Sequence, residues 1–256
     1  QQRDVRTLVV QRDHLAVDAG LERTRAAAGA DVLAHERVRR VHGDVADRLR
    51  LRVARHPDDQ RIVGIQHRAG FFRHTGRAKV YTSEKDAIAA VKGQSDRNVV
   101  AGDIIVLICR GPMGSGMEET YQITSALKHT PWGNQVSLIT DARFSGVSTG
   151  ACIGHVGPEA LAGGPIGKIV DGDWIQITVD RVNLDASVTF LGSGETPGTE
   201  ADGDRELAER PVRTDLKADP NLPDDPRLWA ALQNASGGLW GGCVYDADAI
   251  ISKLGG

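Results

Sequence analysis

A serine stands in a stretch of small residues near the middle of this 256-residue chain. Residues 141–154 read DARFSGVSTGACIG, and Ser145 lies between Phe144 and Gly146, shortly after the apolar run 136–139. A strand that runs into a glycine-rich loop often delivers a side chain to a working surface. The simpler interpretation of this stretch, taken alone, is a tight turn in which the Ser145 hydroxyl bonds to local backbone.

A serine that acts as base or nucleophile needs help, because its hydroxyl gives up its proton only reluctantly. A metal ion or a fixed positive charge nearby could supply that help. Glu118 and Glu119 follow the glycine-rich sequence GPMGSGM, and a carboxylate there could bind a hard cation such as Mg²⁺. Their alternative role is to begin a helix, where the helix dipole favours acids.

Two familiar motifs are excluded at these loops. Gly111 and Gly116 have the spacing of a phosphate-binding loop, but Met117 and Glu118 stand where such a loop needs Lys and Ser or Thr. The serine loop is not a G-x-S-x-G elbow, because Arg143 replaces the first glycine. A serine hydrolase, which would need a histidine such as His155 beside the serine, stays open as an alternative.

Composition excludes several classes of protein. The formal net charge is -3, so no basic face for nucleic acid is expected. No run approaches the ~18–20 apolar residues of a membrane span, and no signal-peptide pattern opens the chain, so a cytoplasmic protein is predicted. The three cysteines, Cys109, Cys152 and Cys243, form no C-x-x-C pair and are expected to be small buried side chains.

The chain divides near residue 70. Residues 1–70 contain 14 Arg, no Lys and no aromatic residue, which is poor material for a packed core. Three interpretations compete for this segment: an Arg-rich helical extension, a disordered arm, or translation in the wrong frame of a GC-rich gene. Residues 71–256 have the pattern of a globular domain.

Periodicity in residues 71–256 predicts a mixed α/β, strand-rich fold. An S-x-x-D start at Ser83 and a stop at Gly93 bound one helix. The other predicted elements are buried strands at 102–109 and 136–140, a helix over about 117–128, a half-buried strand at 174–179, a long surface excursion over 192–225, and two helices near the C-terminus.

Two long stretches of the sequence are specific enough to indicate a protein family. GPMGSGMEETYQITSAL and LITDARFSGVSTGACIGHVGPEALAGGPIGKIVDGDWIQI resemble the C-terminal domain of the dihydroxy-acid, phosphogluconate and sugar-acid dehydratases. FRHTGRAKVYTSEKDAIAAVKG and LWAALQNASGGLWGGCVYDADAI are most similar to the D-xylonate dehydratase branch. The resemblance covers residues 71–256. It implies a swivelling β/β/α barrel-like domain and the dehydration of a sugar acid to a 2-keto-3-deoxy acid.

The resemblance also implies roles for two residues. The serine of the family's RFSG motif, here Ser145, takes the C2 proton of the substrate, and the glutamate of its G-M-x-E motif, here Glu119, is a Mg²⁺ ligand. An iron–sulfur cluster in the family binds the departing C3 hydroxyl. Its cysteines and the other Mg²⁺ ligands belong to a large N-terminal domain, which is expected to be missing from this chain.

The chain is therefore interpreted as the C-terminal part of an aldonate dehydratase, with D-xylonate the first candidate substrate. Alone it is expected to lack both cluster and activity, and the complete enzyme is expected to be a homo-oligomer. The alternative is a stand-alone barrel that acts as a partner module for a separate iron–sulfur domain.

Overall fold

The computed structural model describes residues 9–10, 15–16, 64–68, 70–241 and 244–255. These residues form a mixed α/β fold, as predicted, in which α-helices take nearly as many residues as strands. The interpretations of residues 1–70 fall for the most part outside the described residues. Within the described ranges no helix is long and apolar enough to cross a membrane.

The chain alternates short strands with short helices. The strands are β1 (Val9–Val10), β2 (Leu15–Ala16), β3 (Gly64–Arg68), β4 (Phe71–Tyr81), β5 (Ile104–Leu107), β6 (Glu119–Thr120), β7 (Ser137–Thr140), β8 (Arg143–Phe144), β9 (Ala151–Ile153), β10 (Val156–Gly157), β11 (Trp174–Asp180) and β12 (Asp185–Phe190). The helices are α1 (Glu84–Val91), α2 (Pro112–Ser115), α3 (Gln122–Lys128), α4 (Glu200–Glu209), α5 (Asp224–Ala235) and α6 (Ala247–Lys253). Short 3₁₀ turns occupy Gly133–Gln135, Ala160–Ala162, Pro165–Lys168 and Gly238–Gly241.

One mixed sheet organises the domain. Its strand order is β12-β11-β4-β5-β7-β9-β2, and β3 also pairs with β4. The pairs β4–β5, β5–β7 and β7–β9 are parallel, whereas β11, β12, β3 and β2 join antiparallel. The centre of the sheet is therefore a parallel array, and its loops leave from a common edge.

Strand β4 connects the two halves of this sheet. Its first part pairs antiparallel with β11 and β3, and its last four residues pair parallel with β5. At the change of partner, a Cβ on Gly76 would lie 2.2 Å from the carbonyl oxygen of Gly102. Only glycine allows the two backbones to approach this closely.

Both faces of the parallel array are covered, which explains why its strands read as unbroken apolar runs. On β5, Ile104 and Val106 join the hydrophobic cluster on one face, and Ile105 and Leu107 join the cluster on the other. Helices α1 and α3 contribute to the second cluster, whereas β11 and β12 contribute to the first. The predicted buried strands at 102–109 and 136–140 are confirmed as β5 and β7.

The predicted helix at Ser83 is also confirmed. The Ser83 hydroxyl accepts a hydrogen bond from the Asp86 backbone at 3.4 Å and caps α1, and Gly93 adopts a left-handed φ of 71° just beyond its end. The two predicted helices near the C-terminus are confirmed as α5 and α6.

Three predicted elements are corrected. The helix expected from about 117 begins only at Gln122, because Met117 adopts a left-handed φ of 68° and residues 119–120 pair as strand β6. The strand at 174–179 is mostly buried, since β11 lies between β4 and β12. The excursion 192–225 contains α4, which a capping box between Thr199 and Asp202 starts.

Candidate active site

The two residues singled out by sequence lie on loops that leave neighbouring strands of the parallel array. Glu119 lies on the loop after β5, and Ser145 lies on the loop after β7. The carboxyl edge of a parallel sheet is the common place for a ligand site. Strands β6 and β8 then pair in parallel, with Glu119 opposite Arg143 and Thr120 opposite Phe144.

This small ribbon places the candidate residues on one face. Thr120 and Phe144 are buried, whereas Glu119 is exposed and Arg143 is half-buried. The Ser145 backbone N–H donates to the Thr120 carbonyl at 3.3 Å, so the pairing continues one residue past β8. Because successive residues of a strand alternate between faces, Ser145 returns to the outer face that Glu119 and Arg143 occupy.

The Ser145 side chain is half-buried, and its hydroxyl makes no hydrogen bond within the described part of the chain. Ser148 instead makes the local bonds of the turn: its N–H donates to the Ser145 carbonyl at 3.0 Å and its hydroxyl to the Thr120 carbonyl at 3.4 Å. A tight turn is present, but its hydroxyl contact comes from Ser148. The Ser145 hydroxyl is left available for chemistry.

A hydrolase arrangement has no support from the described residues. No hydrogen bond there joins the Ser145 hydroxyl to His155, whose backbone N–H donates to the Ala142 carbonyl at 2.7 Å. The serine–histidine hydrogen bond of a hydrolase is therefore not formed between Ser145 and His155 in the described part of the chain.

The Glu119 carboxylate forms an ion pair with the Arg143 guanidinium, and its side chain is 43% exposed. Oε1 accepts from Nη1 of Arg143, whereas Oε2 makes no hydrogen bond to the residues the structure describes. An open carboxylate oxygen fits one position of a Mg²⁺ shell. No group of three His, Cys, Asp or Glu side chains suited to a metal occurs in the described ranges, so further ligands would have to come from elsewhere.

Glu118, the other acid of this motif, has a different role. Its carboxylate pairs with Arg110, which also bonds to Asp219 with 2.5 Å between Nη1 and Oδ2. Because residues 117–121 are not helical, neither acid begins a helix as the alternative interpretation proposed.

Arg143 is a site residue that sequence reasoning used only to exclude a hydrolase elbow. Its Nε donates to the Met117 carbonyl at 2.9 Å, so the guanidinium is fixed to the loop that carries Glu119. The signal available in the sequence was its position, two residues before the serine, since that spacing places both side chains on one face of a strand.

Asp141 holds the loops of the site together. It is fully buried and directly follows β7, and its carboxylate accepts from the backbone N–H groups of Cys109 at 3.1 Å, Arg110 at 3.0 Å and Ala160 at 3.1 Å. Burial raises the pKa of Asp141 above its usual range, and these N–H donors oppose that shift. The residue thus ties the loop after β5 to the loop after β7.

The glycines of GPMGSG allow backbones to pack closely. A Cβ on Gly114 would lie 2.0 Å from the Cys109 carbonyl oxygen, and Gly116 has a left-handed φ of 66°. A Cβ on Gly111 would lie 2.7 Å from a carboxylate oxygen of buried Glu159, which accepts from the Met113 backbone at 2.9 Å. An acid in this position repels phosphate, in agreement with the exclusion of a nucleotide loop.

The described cysteines do not fit an iron–sulfur cluster. Cys109 and Cys152 are buried, as expected from the sequence. Burial, then the nearby charge of Asp141, raises the pKa of Cys109 to about 12, and burial raises that of Cys152 to about 11. A cluster is ligated by thiolates, and both thiols hold their protons at neutral pH. Cys243 lies outside the described residues.

Residues 61–222 match the family described as dihydroxy-acid/6-phosphogluconate dehydratase, C-terminal. The chain belongs to this family. It is 60% identical to D-xylonate dehydratase YagF of Escherichia coli (strain K12) over 196 residues, and 58% identical to D-xylonate dehydratase YjhG of the same organism over 187 residues. A dihydroxy-acid dehydratase of Lachnospira eligens is 48% identical over 117 residues.

These matches cover 77%, 72% and 45% of this chain, but only 29%, 28% and 20% of the respective relatives. The chain therefore spans less than a third of the length of the curated relatives it matches. Both Glu119 and Ser145 lie within the matched region 61–222. The resemblance inferred from sequence, to the family and to its D-xylonate branch, is confirmed.

Proposed function

We propose that this chain is the C-terminal part of a sugar-acid hydro-lyase that dehydrates an aldonate, with D-xylonate as the first candidate. The observation that supports the proposal is the β6–β8 ribbon, which pairs the strand of Glu119 with the strand directly before Ser145. The two most similar curated relatives described above are named D-xylonate dehydratases.

In this proposal Ser145 takes the proton from C2 of the substrate. The electron pair of that C–H bond forms a C2–C3 double bond, and the C3 hydroxyl leaves and takes up a proton as water. The resulting enol rearranges to the 2-keto-3-deoxy acid. The hydroxyl must act as an alkoxide, a form that a cation held at Glu119 would favour.

Glu119 would hold Mg²⁺ through its open Oε2. Bound there, Mg²⁺ would supply Lewis acidity at the carboxylate end of the substrate and make the C2 proton more acidic. The described residues contain no group of three candidate ligands, so we place the other ligands, and all cluster cysteines, in the remainder of the complete enzyme. The parallel array at the centre of the sheet is the part that we assign to the swivelling β/β/α barrel-like fold.

A chimera tests this function. The aligned residues of this chain replace the corresponding segment of D-xylonate dehydratase YagF, and formation of a 2-keto-3-deoxy acid from D-xylonate is measured. We expect turnover by the chimera and none by the isolated 256-residue chain, even with iron, sulfide and Mg²⁺ supplied.

Ser145→Ala in the chimera is expected to lower kcat by about 10²–10⁴-fold, the usual contribution of a positioned general base. Ser148→Ala is the matched control, because it removes a hydroxyl from the same turn that bonds only to the Thr120 carbonyl. Retention of activity within tenfold by Ser145→Ala, at unchanged protein stability, would show that this serine is not the base.

A further inference from the structure

Arg143 makes two contacts that explain its position but leave part of its guanidinium unused. Its Nε donates to the Met117 carbonyl, and its Nη1 bonds to Glu119. Nη2 makes no hydrogen bond to any residue that the structure describes. The side chain is 44% exposed on the face that carries Ser145.

Stability is a poor explanation for this ion pair. Both partners are nearly half exposed, and an exposed pair contributes little because water and salt screen it. Arg210 shows the contrast: it bonds to buried Asp173 through both Nη groups, at 2.6 and 2.8 Å, inside the domain.

The loops of the site contain one other guanidinium, that of Arg110, and both of its Nη groups are already in ion pairs. Its two Nη groups pair with Asp219 and Glu118, and its side chain is only 11% exposed. Of these two arginines on the described loops, Arg143 is therefore the one that can receive an anion from solvent.

We infer that Arg143 binds the carboxylate of the anionic substrate, and that Glu119 is its counter-ion until the substrate arrives. The inference rests on the proposed function, because an aldonate is what makes the ligand a carboxylate. A guanidinium matches a carboxylate through two parallel N–H···O bonds, which a lysine ammonium does not reproduce. The hydrogen bond to the Met117 carbonyl holds the Arg143 guanidinium in place before the ligand arrives. Less conformational entropy is therefore lost on binding.

This arrangement makes Glu119 a competitor of the substrate. A cation on the Glu119 carboxylate, or removal of its charge, weakens its hold on Arg143 and frees the guanidinium for an external carboxylate. The metal and the substrate are therefore expected to bind with positive coupling, although each has its own partner in the ribbon.

The binding test uses the 256-residue chain and needs no turnover. The ¹⁵N resonance of the Arg143 Nε–H group, assigned by its loss in Arg143→Lys, is followed at low salt during titration with D-xylonate or with neutral xylitol. We expect a saturable shift with D-xylonate only. Glu119→Gln is expected to tighten binding about two- to fivefold, the factor that loss of an exposed ion pair allows.

Arg205 is the internal control, because it forms a similarly exposed ion pair with Asp202 on α4, and its resonance should not move. Absence of a shift at Arg143, an equal shift with xylitol, or unchanged affinity in Glu119→Gln would each overturn the inference.

Kinetics separate this inference from the proposed function. In an active chimera, Arg143→Lys is expected to raise KM for D-xylonate at least tenfold and to lower kcat by a smaller factor, because a carboxylate contact is made in the ground state as well. An inactive chimera would reject the proposed function itself. An active chimera with unchanged KM in Arg143→Lys would reject only the role of this arginine.

Discussion

His74 gives the domain a specific dependence of stability on pH. It lies on β4 and is fully buried, with Nδ1 2.6 Å from the Ser137 hydroxyl and Nε2 3.0 Å from the Gly102 carbonyl oxygen. A carbonyl oxygen only accepts, so Nε2 carries the proton and Nδ1 accepts from the hydroxyl. The neutral imidazole is therefore fully satisfied in the folded protein.

Burial lowers the pKa of His74 from 6.5 to about 4, although the hydrogen bond to Gly102 works in the opposite direction. Between pH 6.5 and pH 4 the histidine is protonated in the unfolded chain but neutral in the folded chain. Its contribution to the free energy of unfolding is therefore fully present above pH 6.5 and is lost as the pH falls toward 4. At about 1.36 kcal/mol per pKa unit, the full loss is about 3 kcal/mol, and about 2 kcal/mol of it falls between pH 7 and pH 5.

The assay is urea unfolding at pH 7, 6 and 5, with wild type compared to His74→Gln. The amide of Gln keeps a donor and an acceptor but does not titrate, so the variant is expected to be less stable at pH 7 and to have a flatter pH profile. The difference in free energy of unfolding between wild type and His74→Gln should decrease by about 2 kcal/mol from pH 7 to pH 5.

His129→Gln, at the exposed end of α3, is the matched control for the replacement of a histidine by glutamine. Parallel profiles for wild type and His74→Gln would refute the reasoning. Such a result would mean that the folded protein accepts a proton at His74 without cost.

Two further substitutions test the framework of the site by urea unfolding at pH 7. Asp141→Asn is expected to lower the free energy of unfolding by about 3 kcal/mol, because the new amide NH₂ would face a backbone N–H donor in the buried interior. Asp215→Asn, on the surface, is the control and should change that free energy much less. Gly76→Ala should cost about 2 kcal/mol or more by forcing β4 away from Gly102, whereas Gly146→Ala, with open space around its Cβ position, should change little; equal effects would contradict the close approach.

The sequence predicted the elements whose signals are local. Ser83 and Gly93 mark the ends of α1 because capping depends on residues three or four positions apart. The apolar run of β5 was readable because both faces of a central parallel strand are buried. Strand β4 carries no such signal: its sequence FRHTGRAK mixes charge with glycine, and its polar residues find partners on distant segments.

The arrangement of the site was predictable only in part. Ser145 and Glu119 were placed by resemblance, and their spacing in sequence gives no indication that they meet. The two segments are brought together by the parallel pairing of β6 and β8, a long-range contact of two residues on each side. The left-handed turn at Met117 makes this pairing possible, and a non-glycine residue in that conformation is invisible to propensity rules.

The acids of the site show why residue type alone could not assign function. Asp141 and Glu159 are buried and bond to backbone N–H groups, so their charges serve the loops themselves. Glu119 is exposed and opposite Arg143, so its charge is available to ligands. A buried carboxylate needs hydrogen-bond donors around it to offset the loss of water. Whether an acid holds the loops or faces a ligand therefore follows its burial, which depends on the tertiary fold.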